Sequence, residues 1–207
     1  MPDAAQSLEE TVTFPSVVGL EMGFNPTEDR VVMLARTHSA GIKVILLTRR
    51  MMGQLLSHYA EVMKRTSPAV ARAASAHQNE VLQMEHVSAL LAGAAAPTPT
   101  AKPLTGEGEG DAASDQPAQT AHLVTEVRMQ VNDSHLTIGF IGPSRFTPGV
   151  DETLIAPIAA ATMDRVEAHR FLALLNDKAK EGGWGLEGLC PWLTSDGLAP
   201  SAQLQVN

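Results

Sequence analysis

Residues 42–63 read IKVILLTRRMMGQLLSHYAEVM, and within this stretch the hydrophobic pattern changes from that of a strand to that of a helix. Ile42 to Leu47 are almost continuously aliphatic, which is typical of a strand buried on both faces. After Thr48, apolar residues recur at i, i+3, i+4, i+7 and i+11, the spacing of an amphipathic helix. They are Met52, Leu55, Leu56, Tyr59 and Met63. Because Thr48 is placed to cap the first turn, the stretch predicts a strand that leads directly into a helix.

Two further strands are predicted before this stretch. Val17 to Phe24 and Arg30 to Thr37 are strand-like runs, and residues 25–29, Asn-Pro-Thr-Glu-Asp, separate them. Such a cluster has strong turn chemistry, so the two runs predict a hairpin. The first part of the chain therefore predicts a β-β-β-α unit.

The same order of elements returns in the second half of the chain. His122 to Val131 and His135 to Ile141 predict another hairpin, and Thr153 to Ala161 predict a third strand that Pro157 restricts to a sheet edge or a bulge. Asp164 and Glu167 predict a capping box at the start of the following helix. Its apolar stripe is Ala168, Phe171, Leu172, Leu175 and Ala179.

A shift of 116 residues, the difference between positions 48 and 164, superimposes the second helical stripe on the first. The sequence thus predicts an α+β protein in which two pseudo-repeated β-β-β-α units pack together, because one such unit alone has too small a core. A chance match between two amphipathic helices is the competing interpretation.

One predicted helix has no counterpart in the second unit. Ser67 and Pro68 mark its start and Gly93 its end, so this Ala-rich helix covers residues 68–92. Its expected apolar face is thin, which leaves open whether it packs on its own unit or on another chain. The face comprises Val70, Ala74, Val81, Met84 and Leu91.

The chain is expected to divide into five segments. Residues 12–92 hold the first unit with the extra helix, and residues 121–193 hold the second unit with an apolar tail that contains both tryptophans. Residues 93–120 are rich in Ala, Pro, Gly and acidic residues, which predicts a disordered linker. Residues 1–11 and 194–207 are expected to be loose ends.

Composition and motifs argue against several classes of protein. The chain has 207 residues, 44% of them hydrophobic, and its net charge of −8 lies mostly outside the two units, so neither unit has the basic surface that nucleic-acid binding usually requires. Cys190 is the single cysteine, which with the polar N-terminus favours the cytoplasm. No membrane span, cofactor, metal site or catalytic residue is predicted, and the seven histidines are interpreted as surface or partly buried residues.

Arginines at the starts of both main helices are the strongest candidate site. Arg49 and Arg50 begin the first helix and Arg165 begins the second, although the helix dipole disfavours cations there. An internal ion pair is the favoured explanation, with Glu28, Asp29 and Asp151 as expected partners. The alternative is a bound phosphate or an acidic segment of a partner.

Three functions remain open. The absence of catalytic signatures favours a non-enzymatic protein-interaction, adaptor or assembly role with a protein partner. Trp184 and Trp192 are expected to pack in the core or the tail, and the alternative is that they are interface residues. A homo-oligomer would be one form of this. The alternatives are an enzyme or binding protein for an anionic small ligand at the arginines, and a single-stranded nucleic-acid-binding protein. The last is similar only in element order to the Whirly and PUR-type modules, and the few aromatic residues disfavour it.

Overall fold

The computed structural model describes residues 13–95, 120–132, 134–145 and 154–193. Within these ranges the chain is α+β, with seven strands, four α-helices and three short 3-10 helices. The strands are β1 Val17–Asn25, β2 Arg30–Thr37, β3 Ile42–Thr48, β4 Thr120–Leu123, β5 Glu126–Asn132, β6 His135–Arg145 and β7 Ile155–Asp164. The α-helices are α1 Arg49–Arg65, α2 Pro68–Arg72, α3 Gln78–Ala95 and α4 Arg165–Glu181. The 3-10 helices are Ser75–His77, Glu187–Leu189 and Pro191–Leu193.

The strands form two antiparallel three-stranded sheets that β4 joins. One sheet has the order β1-β2-β3 and the other has β6 between β5 and β7. β4 pairs in parallel with β3 and antiparallel with the end of β6, so hydrogen bonds run continuously from β1 to the second sheet. Ser16, just before β1, forms a parallel bridge with Ala160 of β7. The two sheets are thereby connected at both ends.

One hydrophobic core is shared by both units. Alternate residues of β2, among them Met33, are buried, as the period of a strand with one covered face requires. In β6 the residues from Ile138 to Gly142 are all buried, and Phe140 is inaccessible to solvent. The apolar stripes predicted for α1 and α4 pack into the same cluster, where Leu56 and Leu172 are inaccessible to solvent. The two units therefore bury their apolar surface together.

Local sequence signals place the helix starts and the bulge where they were predicted. The Thr48 hydroxyl accepts a hydrogen bond from the Met51 N–H, and Asp164 and Glu167 form the complete capping box. In β7 the pairing with β6 shifts register beside Pro157, between Phe140 and Ile141. Proline has no N–H to donate to the ladder. The prediction that Pro157 restricts this strand to a sheet edge or a bulge is confirmed by the bulge.

The single helix predicted for residues 68–92 is wrong. The backbone is extended at Ala73 and Ala74, with ψ of 148° and 145°, so the segment divides into α2, the 3-10 helix Ser75–His77 and α3. The predicted face is right at Val70, which is buried, and at Val81, which packs against the core, but it is wrong at Met84 and Leu91, which are 70% and 68% exposed. The buried face of α3 is instead formed by Leu82, His86 and Ala89.

Several expected segments lie outside the described residues. These are residues 1–11, residues 194–207 and most of the expected linker, of which the structure describes 93–95 as the end of α3 and Thr120 as the start of β4. Among the described residues, no helix is both long enough and apolar enough to span a membrane.

Candidate functional site

Arg165 forms an ion pair inside the protein. Its Nε contacts Oε1 of Glu85 on α3, and its Nη2 donates hydrogen bonds to Oε2 of Glu85 at 3.2 Å and to the Met63 carbonyl at 2.8 Å. Its Nη1 donates to the hydroxyl of Thr66 at 2.9 Å. The guanidinium thus ties the start of α4 to α3 and to the end of α1, and four of its five N–H groups donate to these partners.

Glu85 is the anion that compensates Arg165, and it was not among the expected partners. Burial raises the pKa of Glu85, but the His169 ring, the Arg165 guanidinium and the Ser67 hydroxyl outweigh burial and hold that pKa well below its usual range. Ser67 donates to Glu85 at 2.8 Å while it caps α2 by accepting from the Val70 N–H. Glu85 is therefore ionised under ordinary conditions and central to the junction of three helices.

The expected partners of the arginines are engaged elsewhere or lie outside the described residues. Glu28 is 3.7 Å from Arg30, and Asp29 accepts a hydrogen bond from the Trp184 indole at 2.7 Å. Asp151 lies outside the described residues.

Two buried histidines continue this polar cluster. Nδ1 of His86 on α3 lies 3.2 Å from Nδ1 of His169 on α4, and Nε2 of His169 lies 3.4 Å from Oε1 of Glu85. His86 is 6% exposed and His169 is 1% exposed. The interpretation of the histidines as surface or partly buried residues is therefore wrong at both positions. A signal existed: positions 82, 86 and 89 follow the i, i+4, i+7 spacing of a buried stripe.

Both tryptophans are core residues in this structure. Trp192 packs edge-on against the rings of His86 and His169, with centroid distances of 5.6 and 6.2 Å. Trp184 packs edge-on against Phe24 at 5.6 Å. Because Trp192 is 5% exposed and Trp184 is 2% exposed, neither indole offers surface to a partner in this conformation.

Arg49 and Arg50 are exposed and are not close to Arg165's ion pair. They line one end of an open groove of about 1000 Å³ along α1, whose other lining includes His58, Leu186 and Leu189. Among the described residues neither arginine has an acidic partner, and the first turn of α1 has no acidic residue. The structure therefore separates the three arginines into Arg165, which has a structural ion pair, and Arg49 and Arg50, which have no acidic partner in the part of the chain that the structure describes.

A second surface is apolar and lies on α3 and α4. A shallow groove of about 450 Å³ runs between the two helices, and Leu90, Phe171 and Leu174 contribute its apolar lining. Glu167, Arg170 and Asp177 contribute charges to the same groove. Leu91 and Met84 do not line the groove but are further exposed apolar residues of α3. We call Met84, Leu90, Leu91, Phe171 and Leu174 the α3–α4 face.

No group of three or more His, Cys, Asp or Glu side chains in the described ranges is arranged to hold a metal ion. Cys190 is buried, its thiol contacts the Leu56 carbonyl at 3.6 Å, and burial raises its pKa to about 11. A thiol with so high a pKa is a poor nucleophile at neutral pH.

Comparisons of the chain with protein-family models, with curated proteins and with solved structures returned no match.

Proposed function

We propose that the protein is a non-enzymatic protein-interaction module that docks a partner on the α3–α4 face. The observation that carries this proposal is the exposure of large apolar side chains on one side of α3, where Met84 is 70% and Leu91 68% exposed. Large apolar surface rimmed by polar residues is typical of binding sites in soluble proteins.

The charge distribution of α3 supports this proposal. From Val81 to Ala95 the sequence contains one charged residue, Glu85, and Glu85 is directed inward to Arg165. Between Val81 and Ala92, the outward side of α3 therefore presents aliphatic, methionine and polar side chains without a charge. A partner that docks here gives up no ion pair and desolvates no charge on α3.

The groove beside α3 suggests the form of the partner. Its floor is apolar, and Glu167, Arg170 and Asp177 of α4 place both signs of charge around it. An amphipathic helix meets this arrangement, because its apolar residues at i, i+3, i+4 and i+7 fill the groove while its flanks pair with the charges. The ion pair of Arg165 with Glu85 holds α3 on α4 and so keeps the groove formed.

The test is purification of the tagged chain from its native host, compared across matched variants. Wild type and Val18→Glu, which changes a 61% exposed residue on β1, should retain one stoichiometric partner. Leu91→Glu and Met84→Glu should retain at least tenfold less, because a buried unpaired charge is costly. All variants should keep the wild-type circular dichroism spectrum. A partner lost equally from Val18→Glu, or no stoichiometric partner at all, contradicts the proposal.

A second candidate function is the binding of an anionic small ligand in the groove at Arg49 and Arg50. Two exposed arginines without an acidic partner among the described residues support it, together with the first-turn N–H groups of α1. Thermal unfolding with phosphorylated and carboxylated metabolites at millimolar concentration tests it. A ligand should raise Tm in wild type but not in Arg49→Gln/Arg50→Gln, and an equal shift in both proteins counts against this site.

The proposal also includes the pseudo-repeat, which corresponding registers support. Asn25 pairs with Arg30 and Arg30 with Thr48 in the first unit, while Asn132 pairs with His135 and His135 with Asp164 in the second. Each third strand thus delivers its N-cap residue to the same place in its sheet. We propose that the units are related by an approximate twofold rotation and that the protein acts in the cytoplasm, as its single buried cysteine suggests.

A further inference from the structure

His86 and His169 form a pair in the core whose hydrogen bonding depends on the protonation of the two rings. The residues are 83 positions apart, they belong to different helices, and their Nδ1 atoms face each other at 3.2 Å. That distance allows a hydrogen bond only if one Nδ1 carries a proton and the other does not.

Glu85 decides which ring donates. Nε2 of His169 lies 3.4 Å from Oε1 of Glu85 without forming a hydrogen bond to it. At this distance the carboxylate attracts a proton on Nε2 and would repel a lone pair there. With its proton on Nε2, neutral His169 has an acceptor at Nδ1. His86 therefore donates from Nδ1, and the polar chain runs from His86 through His169 to Glu85 and Arg165.

The surroundings of this chain limit how many protons it can take. Facing it are Glu85 on α3, Arg165 on α4 and, from the tail, the Trp192 ring. α1 contributes the Met63 carbonyl, the Thr66 hydroxyl and, on the Ala168 carbonyl, the Tyr59 hydroxyl.

Glu85 is the only carboxylate in this set, and Arg165 already neutralises it. One added proton can be shared between the two Nδ1 atoms. A second leaves two N–H groups pointed at each other in a site closed to water.

We propose that His86 and His169 form a pH-sensitive latch, in which double protonation of the pair separates α3 and the Trp192 tail from α4. When both rings are protonated, the two Nδ1–H groups repel each other, and this repulsion acts directly between α3 and α4. This inference does not depend on the proposed partner, because it concerns the closure of α3 on its own chain.

The pKa of His86 supports the direction of the effect. Burial, and then the charge of His169, lower that pKa to about 4. A histidine whose folded pKa is lowered contributes stability that is present above its unfolded value near 6.5 and is lost as the pH falls toward 4. The latch is accordingly closed at neutral pH and weakened progressively in mild acid.

The test compares urea unfolding at pH 7.5 and pH 5.0 for wild type, His86→Asn and His58→Asn. Asparagine keeps an N–H near the position of Nδ1 but does not titrate, and His58 is an exposed histidine on α1. Between pH 7.5 and pH 5.0, the folding equilibrium constant should fall by a factor about 30-fold larger in wild type and in His58→Asn than in His86→Asn. An equal loss in all three proteins would overturn the proposal.

A second measurement keeps the test valid if His86→Asn does not fold. Imidazole ¹⁵N NMR of the wild-type chain should show His86 protonated at Nδ1 and His169 at Nε2 at pH 7.5. Amides of α3 should exchange faster at pH 5.0, relative to those of α1 and after correction for intrinsic rates. The opposite tautomers, unchanged α3 exchange, or a rise in Tm of several degrees with zinc chloride, which would mean that the rings bind metal, each contradict the latch.

Discussion

The Tyr59 hydroxyl on α1 donates a hydrogen bond of 2.8 Å to the backbone carbonyl of Ala168 on α4, across 109 positions of the chain. Both residues are buried, and the Tyr59 ring also packs against Phe171 with a centroid distance of 6.3 Å. The principal helices of the two units are therefore joined by a buried polar contact, in addition to the hydrogen bonds that Arg165 donates to the end of α1.

Tyr59→Phe should lower the free energy of unfolding by about 1 kcal/mol, because it removes one buried hydrogen bond and keeps the ring. Burial raises the pKa of Tyr59 more than the charge of Arg165 lowers it, so the folded pKa exceeds the usual value of 10.0. The neutral hydroxyl thus contributes stability below pH 10 that is lost as the pH rises further. Urea unfolding at pH 7 and above pH 10 should show the wild-type alkaline loss reduced in Tyr59→Phe.

Arg165→Met should destabilise the protein by about 2 kcal/mol, because it leaves the Glu85 carboxylate without its cation in a largely buried place. Arg128→Met is the matched control. Arg128 forms an exposed pair with Glu126 at 2.6 Å, and such pairs contribute about 0.5 kcal/mol or less. Equal effects of the two substitutions in urea unfolding would show that the Arg165 contacts do not hold the helices together.

Acid should also weaken the junction between α3 and α4, because it protonates the Glu85 carboxylate that pairs with Arg165. Because its folded pKa lies below the usual value of 4.5, the carboxylate contributes stability above pH 4.5 that is lost as the pH falls below it. Unfolding of wild type and Glu85→Gln between pH 5 and pH 3 should show a smaller loss in the variant. Glu80→Gln, an exposed change on α3, should retain the wild-type loss.

Gly142→Ala should destabilise the protein by roughly 3 kcal/mol or more, as expected when a close backbone approach is blocked. A Cβ at position 142 would overlap with the Leu123 carbonyl oxygen, where β6 passes the end of β4. Gly23→Ala on β1 is the control, because a Cβ there meets nothing within 4 Å. If Gly142→Ala is as stable as Gly23→Ala, the junction between the two sheets is not as described.

Asp29 links the first hairpin to the tail, and its two roles can be separated. It accepts from the Trp184 indole, and its φ of 50° is in the left-handed region that asparagine and aspartate tolerate best. Asp29→Asn should therefore cost less than about 0.5 kcal/mol, and Asp29→Ala about 1 to 2 kcal/mol. Thermal unfolding of both variants tests this difference in stability, and an equal decrease in Tm for Asp29→Asn and Asp29→Ala would contradict it.

The sequence was most informative where a contact depends on neighbours in the chain. The Thr48 cap, the Asp164 and Glu167 capping box and the Pro157 bulge all follow from side chains within a few residues of one another. The α+β class followed from the same local periods.

Contacts between distant segments were not predictable in this way. Arg165 was singled out as a cation that needs an anion, but Glu85 lies 80 positions earlier on a helix without a counterpart in the second unit. The break at Ala73 and Ala74 was missed because residues 72–77, Arg-Ala-Ala-Ser-Ala-His, favour a helix and tertiary packing overrides that preference.

The most direct test of the α3–α4 face is hydrogen exchange with mass spectrometry on the full chain, alone and bound to the partner that copurifies from its host. Peptides that cover residues 84–92 and 166–174 should gain protection in the complex, while β1 to β3 should be unchanged. Protection confined to the sheets or to the groove at Arg49 and Arg50 would contradict the account, and so would a complex in which those two peptides exchange as they do in the free chain.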